Sequence, residues 1–353
     1  MAGEMALERL FLRPKEFYHN ESIELYIGKS ALKINPDEQK IDLFDRVLNY
    51  DHLVLTTGSE PRELPHYTTS KIKNLFTMRD LTDANSIEPF MKKGMRLLIV
   101  GGGYIGLEAA ATAQKFGVDV TLVELEDRIL KRVAAKETSD YIRSLHISKG
   151  VKIKEATGLE KLKIKRDKIV SASFTDNSNI NVDFVIVGIG ITPNTKLAED
   201  TNITVNNGIF VNERCQTSIS NIYAAGDCAS FNYKNTLVRL ESVGNAIDQA
   251  TIVAQNISGQ NATYIPKPWF WSDQYDLKLQ IAGLNTGYDN VVVRGDKSKN
   301  VSHWYFKGSE LLAIDALNDP RAYMIGKRLI EANKSPSKEQ VKDQDFNLKS
   351  LLK

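Results

Sequence analysis

Cysteine is almost absent: Cys215 and Cys228 are the only two in 353 residues. Two thiols cannot build a disulfide scaffold or a four-ligand zinc site, and they fit a reducing compartment. An excess of charge of one sign is also missing. The 46 Lys and Arg face 44 Asp and Glu, a net of +2, which argues against nucleic acid or an anionic membrane surface as partner. No apolar run approaches the roughly 18 residues that a membrane span needs. The opening MAGEMALERL carries acids and no long apolar core, unlike a signal peptide. No internal repeat recurs at the roughly 20–50-residue spacing of solenoids. What remains is ordinary globular composition, 42% hydrophobic and 25% charged, which excludes disordered and collagen-like classes. At roughly 150 residues per domain, the expectation is a soluble, cytoplasmic chain of two or three domains.

Local patterns divide the chain. Residues 1–20 read as helix-like, residues 23–34 and 41–48 as short strands, and YDHLVLTTG as a compact strand ending at Gly58. Residues 79–93 read as a helix that Pro89 can interrupt. Over 95–155 strand and helix alternate, which predicts a parallel sheet with crossover helices. Residues 161–188 read as a hairpin turning at DNSN and returning into the buried strand VDFVIVG. IYAAGD is another short strand, and residues 241–257 are helical in pattern. After Pro266 and Pro268, aromatic-rich strands predict a separate antiparallel C-terminal domain. Residues 333–353 are charged and are expected to pack loosely.

The strongest local signal is LLIVGGGYIGLEAAATAQKFGVDVTLVE. An apolar strand runs into Gly101-x-Gly103-x-x-Gly106, a helix follows, and a second strand closes at Glu124. Gly101 permits the tight turn, Gly103 lets backbone approach a pyrophosphate, and Gly106 lets the helix pack closely on the sheet. The helix N-terminus offers free N–H groups and a positive dipole end to phosphates. Glu124 stands 23 positions after Gly101, where an acid can bond the adenosine ribose and disfavour a 2′-phosphate, so NAD is expected over NADP. Arg128 is close enough to blur that preference, and a surface cation is its simpler reading. This motif alone does not separate a dehydrogenase from a flavoprotein.

Six segments occur in one order: TTGSEPRELP, GGGYIGLEAA, VIVGIGITPN, IYAAGDCA, RLESVGNAIDQA and PWFWSDQYDLKLQIAGL. Together they resemble the FAD-dependent, NADH-linked ferredoxin and rubredoxin reductases, within the glutathione-reductase-like flavoproteins. The resemblance covers essentially the whole chain. It implies an α/β architecture with two Rossmann-like dinucleotide-binding domains and a C-terminal α+β domain. The boundaries it implies are 1–93 and 196–265 for the two pieces of the FAD-binding domain, 94–195 for the NAD-binding domain and 266–353 for the C-terminal domain.

The resemblance also assigns residues. Thr57 and Gly58 end the strand that packs beside FAD. Asp227 of Gly226-Asp227 accepts hydrogen bonds from the ribityl hydroxyls, which are donors that a carboxylate suits. Val243 lies near the isoalloxazine at a helix start, and Ala31 and Arg79 fall on flavin-contacting positions. Tyr104, Ile105, Gly188 and Gly190 join the glycine loop at the NADH site, and Glu108 lies near the nicotinamide. Trp269 and Trp271 belong to an aromatic cluster that can cover the flavin edge, since aromatic rings stack and exclude water; core packing is the alternative.

The implied reaction is hydride transfer from NADH to the flavin, then two single-electron steps to an iron–sulfur ferredoxin or a rubredoxin. The cofactors are FAD and NADH, and no metal is expected. There is no CxxC pair, so both cysteines read as small buried hydrophobes and a dithiol relay is not expected. His19, His52, His66, His146 and His303 lie in none of the motifs and read as structural or surface residues. An acidic ferredoxin calls for a basic docking face, with Lys278, Arg294, Lys297 and Lys299 as candidates, although a solvated face is the simpler reading of each. The protein is expected to be a monomer or a weak homodimer, without nucleic acid or membrane partners. GxGxxG occurs once, so the resemblance further implies that the first flavin-binding βαβ unit is missing. The competing expectations are an NAD(H)-binding remnant without flavin or catalysis, and a reductase for another acceptor such as rubredoxin.

Overall fold

A computed structural model of the chain describes residues 5–296 and 300–353. Two compact units emerge: residues 1–59 with 193–265, and residues 60–192 with 266–353.

The first unit begins with few buried groups. Leu7–Leu10 and Lys15–Asn20 form short helical turns with no buried residue. The strand expected from residue 23 starts only at Ala31, after a turn in which Gly28 has a φ of +74°. Ala31–Asn35, Lys40–Leu43 and Val47–Asn49 then form an antiparallel meander. Leu53–Leu55 follows and pairs in parallel with Ile222–Ala224. The helix Val243–Ile257 is capped by the Ser242 hydroxyl, which accepts the Asn245 N–H at 3.3 Å. Leu53, Leu55, Ile222, Ala224 and Val253 share one core with Cys215 and Cys228, both of which are buried.

In the second unit, a five-stranded sheet carries Arg96–Val100 at its centre. Phe184–Val187 and Leu75–Phe76 lie in parallel to one side of it, and Asp119–Val123 and Lys152–Lys154 to the other. Phe184–Val187 is buried at every position, as its unbroken apolar run requires of a strand covered on both faces. Residues 60–93, expected with the flavin-binding pieces, pack here instead. Leu75–Phe76 extends the sheet, and Phe90 meets Phe184 at 5.4 Å between ring centroids. The expected helix in this stretch runs over Leu81–Ile87 and tightens into a 3₁₀ turn at Pro89.

The hairpin expected to turn at DNSN turns earlier. Leu159–Lys165 and Lys168–Phe174 are joined through Arg166 and Asp167, whose φ values are +51° and +74°. Positive φ at both central residues is the turn that matches strand twist. DNSN leads instead to a third strand, Asn179–Asn181. Each unit thus sends a three-stranded antiparallel meander into a parallel strand, a likeness that sequence inspection missed.

The C-terminal segment forms a five-stranded antiparallel sheet in the order 269–274, 277–283, 310–317, 300–307, 290–296. The helix Pro320–Glu331 covers it. The approach is so close that a Cβ on Gly326 would lie 2.8 Å from Ile314 Cγ2. The tail expected to be loose is anchored, because Val341 and Leu348 enter this core. Arg294 holds the tail down. Its guanidinium donates to the carbonyls of Gln340, Val341, Asp343, Gln344 and Phe346. That bonding removes Arg294 from the candidate docking cations. Lys278 is exposed, and Lys297 and Lys299 lie outside the described residues.

Candidate dinucleotide and flavin sites

The glycine loop of the second unit is built by close backbone packing. Gly101 has a φ of +108°, and a Cβ there would lie 2.4 Å from the Gly188 carbonyl oxygen. A Cβ on Gly106 would lie 2.1 Å from the Gly101 carbonyl oxygen. Gly103 differs, since a Cβ there would meet nothing within 4 Å. Its open side is the cradle that a pyrophosphate needs. No side chain caps the helix Tyr104–Lys115, so its first-turn N–H groups keep their capacity for phosphate oxygens.

This loop forms part of a 410 Å³ cleft, which Tyr104, Glu124, Gly188 and Gly190 also line. Glu124 does more than face the cleft. It accepts the Gly102 N–H at 2.7 Å and the Glu126 N–H at 2.9 Å. These bonds fix the carboxylate and leave lone pairs for ribose hydroxyls. The observed cradle and donor set therefore fit NAD. Arg128 is neither a phosphate reader nor a free surface cation. It donates to Ser139 Oγ at 2.5 Å and to the Ala134 carbonyl at 2.9 Å, closing the loop after Glu124.

Sequence reasoning overlooked Arg62 and Arg132, which also line the cleft. Arg62 anchors the Gly188–Gly190 loop, because its N–H donates to the Gly190 carbonyl at 2.9 Å and its Nε to the Ile191 carbonyl at 3.1 Å. Its place in TTGSEPRELP was the available signal. Arg132 had none.

Ile105 is exposed at the start of the helix, and Glu108 is half-buried one turn beyond Tyr104. The Tyr104 ring packs on Phe270 at 4.9 Å, and its hydroxyl is buried without a hydrogen-bond partner. Burial, with the charges of Asp315 and Glu108, raises this phenol well above its ordinary pKa. Trp271, also in this unit, is 39% exposed and stacks on Trp269 at 5.5 Å. Arg79 precedes the helix Leu81–Ile87, where its backbone N–H donates to Asp83 Oδ2.

A second cluster forms in the first unit. Thr57 donates to the Asn194 carbonyl at 2.6 Å, and Gly58 accepts the Asn194 N–H at 2.9 Å. Ser59 donates to Asp227 Oδ2 at 3.1 Å, so the ends of the two parallel strands meet. Gly226 donates to Gln249 Oε1, and a Cβ on Gly226 would lie 3.4 Å from the Ala246 Cβ. The helix start therefore sits tightly against the Gly-Asp turn. Val243 opens that helix and is 56% exposed. A half-buried acceptor beside an exposed apolar helix start fits the ribityl and ring portion of a flavin. Ala31 stands exposed at the start of the meander.

Comparison with known proteins gives one consistent picture. Residues 4–250 match the pyridine nucleotide-disulphide oxidoreductase family, and residues 269–352 match the reductase C-terminal family. Rhodocoxin reductase of Rhodococcus erythropolis is 38% identical over 98% of this chain and 82% of its own length. Putidaredoxin reductase of Pseudomonas putida is 38% identical over 100% of this chain and 85% of its own. The crystal structure of a covalent putidaredoxin reductase–putidaredoxin complex superposes with a TM-score of 0.96, at 38% identity, over 99% of this chain and 86% of that one.

Proposed function

The chain belongs to the pyridine nucleotide-disulphide oxidoreductases that carry a reductase C-terminal domain, and from that premise we propose that it is an FAD-dependent reductase passing electrons from NADH to a small iron–sulfur protein of the ferredoxin type. The observation that carries the reading is the joint match of both families in this chain, together with its 38% identity to relatives named as rhodocoxin and putidaredoxin reductases. FAD, when bound, supplies the conversion of one hydride into two single-electron transfers. The protein supplies binding and orientation. Gly101, Gly103 and Gly106 hold the NADH pyrophosphate against the helix start. Glu124 accepts from the adenosine ribose, and its charge opposes a 2′-phosphate, so NADH is preferred. Asp227 accepts from the ribityl chain, and Val243 lies against the ring.

With both cysteines buried, electrons bypass thiols. Burial also pushes the Cys215 thiol up to about 12, which opposes thiolate formation. The test is anaerobic mixing of the FAD-loaded protein with NADH and a panel of acceptors. Reduction of a ferredoxin faster than a rubredoxin or a quinone is expected. Dye reduction without ferredoxin reduction would contradict the partner assignment.

A further inference from the structure

Glu108 receives the end of a hydrogen-bond chain that sequence spacing could not reveal. Ser272 Oγ donates to Glu108 Oε1 at 2.6 Å, and Gln274 Nε2 donates to Ser272 Oγ at 3.0 Å. Gln274 Oε1 meets His146 Nε2 at 2.8 Å, and His146 Nδ1 meets the Tyr275 hydroxyl at 3.2 Å. The amide oxygen can only accept, so His146 Nε2 must carry the proton. Burial, partly opposed by the Gln274 bond, lowers the His146 pKa, so the ring is neutral near pH 7. Its Nδ1 is then an acceptor, and Tyr275 must donate. Every proton in the chain therefore points the same way: from Tyr275 to His146, to Gln274, to Ser272, to Glu108.

We propose that Ser272, Gln274 and His146 are positioning residues that hold Glu108 as an oriented acceptor beside the nucleotide cleft. The proposal rests on the reading of that cleft as the NADH site. Two observations and one general physical effect support it. Ser272, Gln274 and His146 are each essentially inaccessible to solvent, so water cannot substitute for a lost link. Aligned hydrogen bonds polarise one another in a low-dielectric interior. Oε2 of Glu108 makes no hydrogen bond among the described residues, which leaves it for a donor on the bound nucleotide.

The groups facing the chain are few. Burial pushes the Glu108 carboxyl up, Ser272 pulls it down, and the nearby charge of Asp273 pushes it up again. Tyr104 faces Glu108 from its own helix. Lys149 lies over the Tyr275 ring at 5.6 Å. Without the serine proton, the remaining influences on Glu108 all favour its neutral form.

The test uses NMR of the full chain. ¹⁵N shifts of His146 should report the Nε2–H tautomer, and a Nδ1–H tautomer would overturn the proposal because the chain could not run toward Glu108. The Glu108 carboxyl, ¹³C-labelled and assigned by its loss in Glu108→Gln, should titrate at higher pH in Ser272→Ala than in wild type. Ser272→Thr should restore the wild-type midpoint, and Tyr275→Phe should give a smaller rise. NADH should bind Ser272→Ala about fivefold more weakly, the worth of one modest hydrogen bond. An unchanged Glu108 midpoint in folded Ser272→Ala, or in Tyr275→Phe should the first variant not fold, overturns the positioning role. Failure of wild type to bind NADH would instead refute the reading of the cleft, while the tautomer and titration results still judge the chain itself.

Discussion

At the residue scale, neighbouring glycines carry different tasks, and substitution separates them. Gly106→Ala forces a Cβ against the Gly101 carbonyl, so it should cost about 1–3 kcal/mol of stability and lower the midpoint of a denaturant titration. Gly103→Ala meets no protein atom, so stability should hold while NADH binding weakens about tenfold, or about 1.4 kcal/mol. The glycine spacing was legible in sequence because the tight turn, the phosphate approach and the helix contact each demand glycine. The partners that make two of these positions obligatory, the carbonyls of Gly188 and Gly101, were not. Glu124 was legible by its distance from the loop, but its bond to the Gly102 N–H was not. Glu124→Ala should therefore weaken NADH binding and loosen the loop, which would show as faster exchange of the Gly102 amide.

Asp315 belongs to the same scale and was invisible in sequence, since its partner Thr138 lies 177 positions away. Its carboxylate accepts from Thr138 at 2.7 Å and from the Tyr305 hydroxyl. Burial nevertheless dominates and pushes its pKa up to about 6. An acid whose folded pKa lies above its unfolded value binds the extra proton in the native state. Stability from this group is therefore present at low pH and is lost as pH rises from about 4 to about 6. Asp315→Asn keeps an acceptor and removes the buried charge. Chemical denaturation across that window should give a flatter stability profile for this variant, and an unaltered slope would refute the assignment.

At the scale of elements, the parallel strands were readable because burial on both faces demands an unbroken apolar run, as in Phe184–Val187. The C-terminal tail was misread because its charge density conceals two anchors, Val341 and Leu348. Its main tether, Arg294, reads in sequence as a solvated cation or a candidate for docking. A guanidinium that donates to a row of main-chain carbonyls satisfies groups that a loose tail would leave to water. Arg294→Ala should cost about 2–3 kcal/mol and expose the tail to proteolysis. Arg294→Lys should not rescue it, because an ammonium cannot span several carbonyls in one plane. Limited proteolysis with mapping of the released C-terminal peptide checks both.

At the scale of the whole molecule, the ordered series of motifs was legible, and family comparison agrees with it. The hydrogen-bond chain to Glu108 was not legible, because its links come from three elements far apart in sequence. The two meanders were hidden for a different reason, since backbone topology repeats without repetition of side chains. The unit holding Thr57, Asp227 and Val243 is assigned to the flavin, and the unit holding the glycine loop and Glu124 to NADH. The most direct test of that assignment is the visible spectrum of the protein after incubation with FAD and desalting, followed by anaerobic NADH. Retained flavin absorbance that NADH bleaches, with Asp227→Ala retaining less flavin, is the expected result. Flavin that binds but stays oxidised with NADH in excess, or a protein that binds NADH and retains no flavin, would contradict the account.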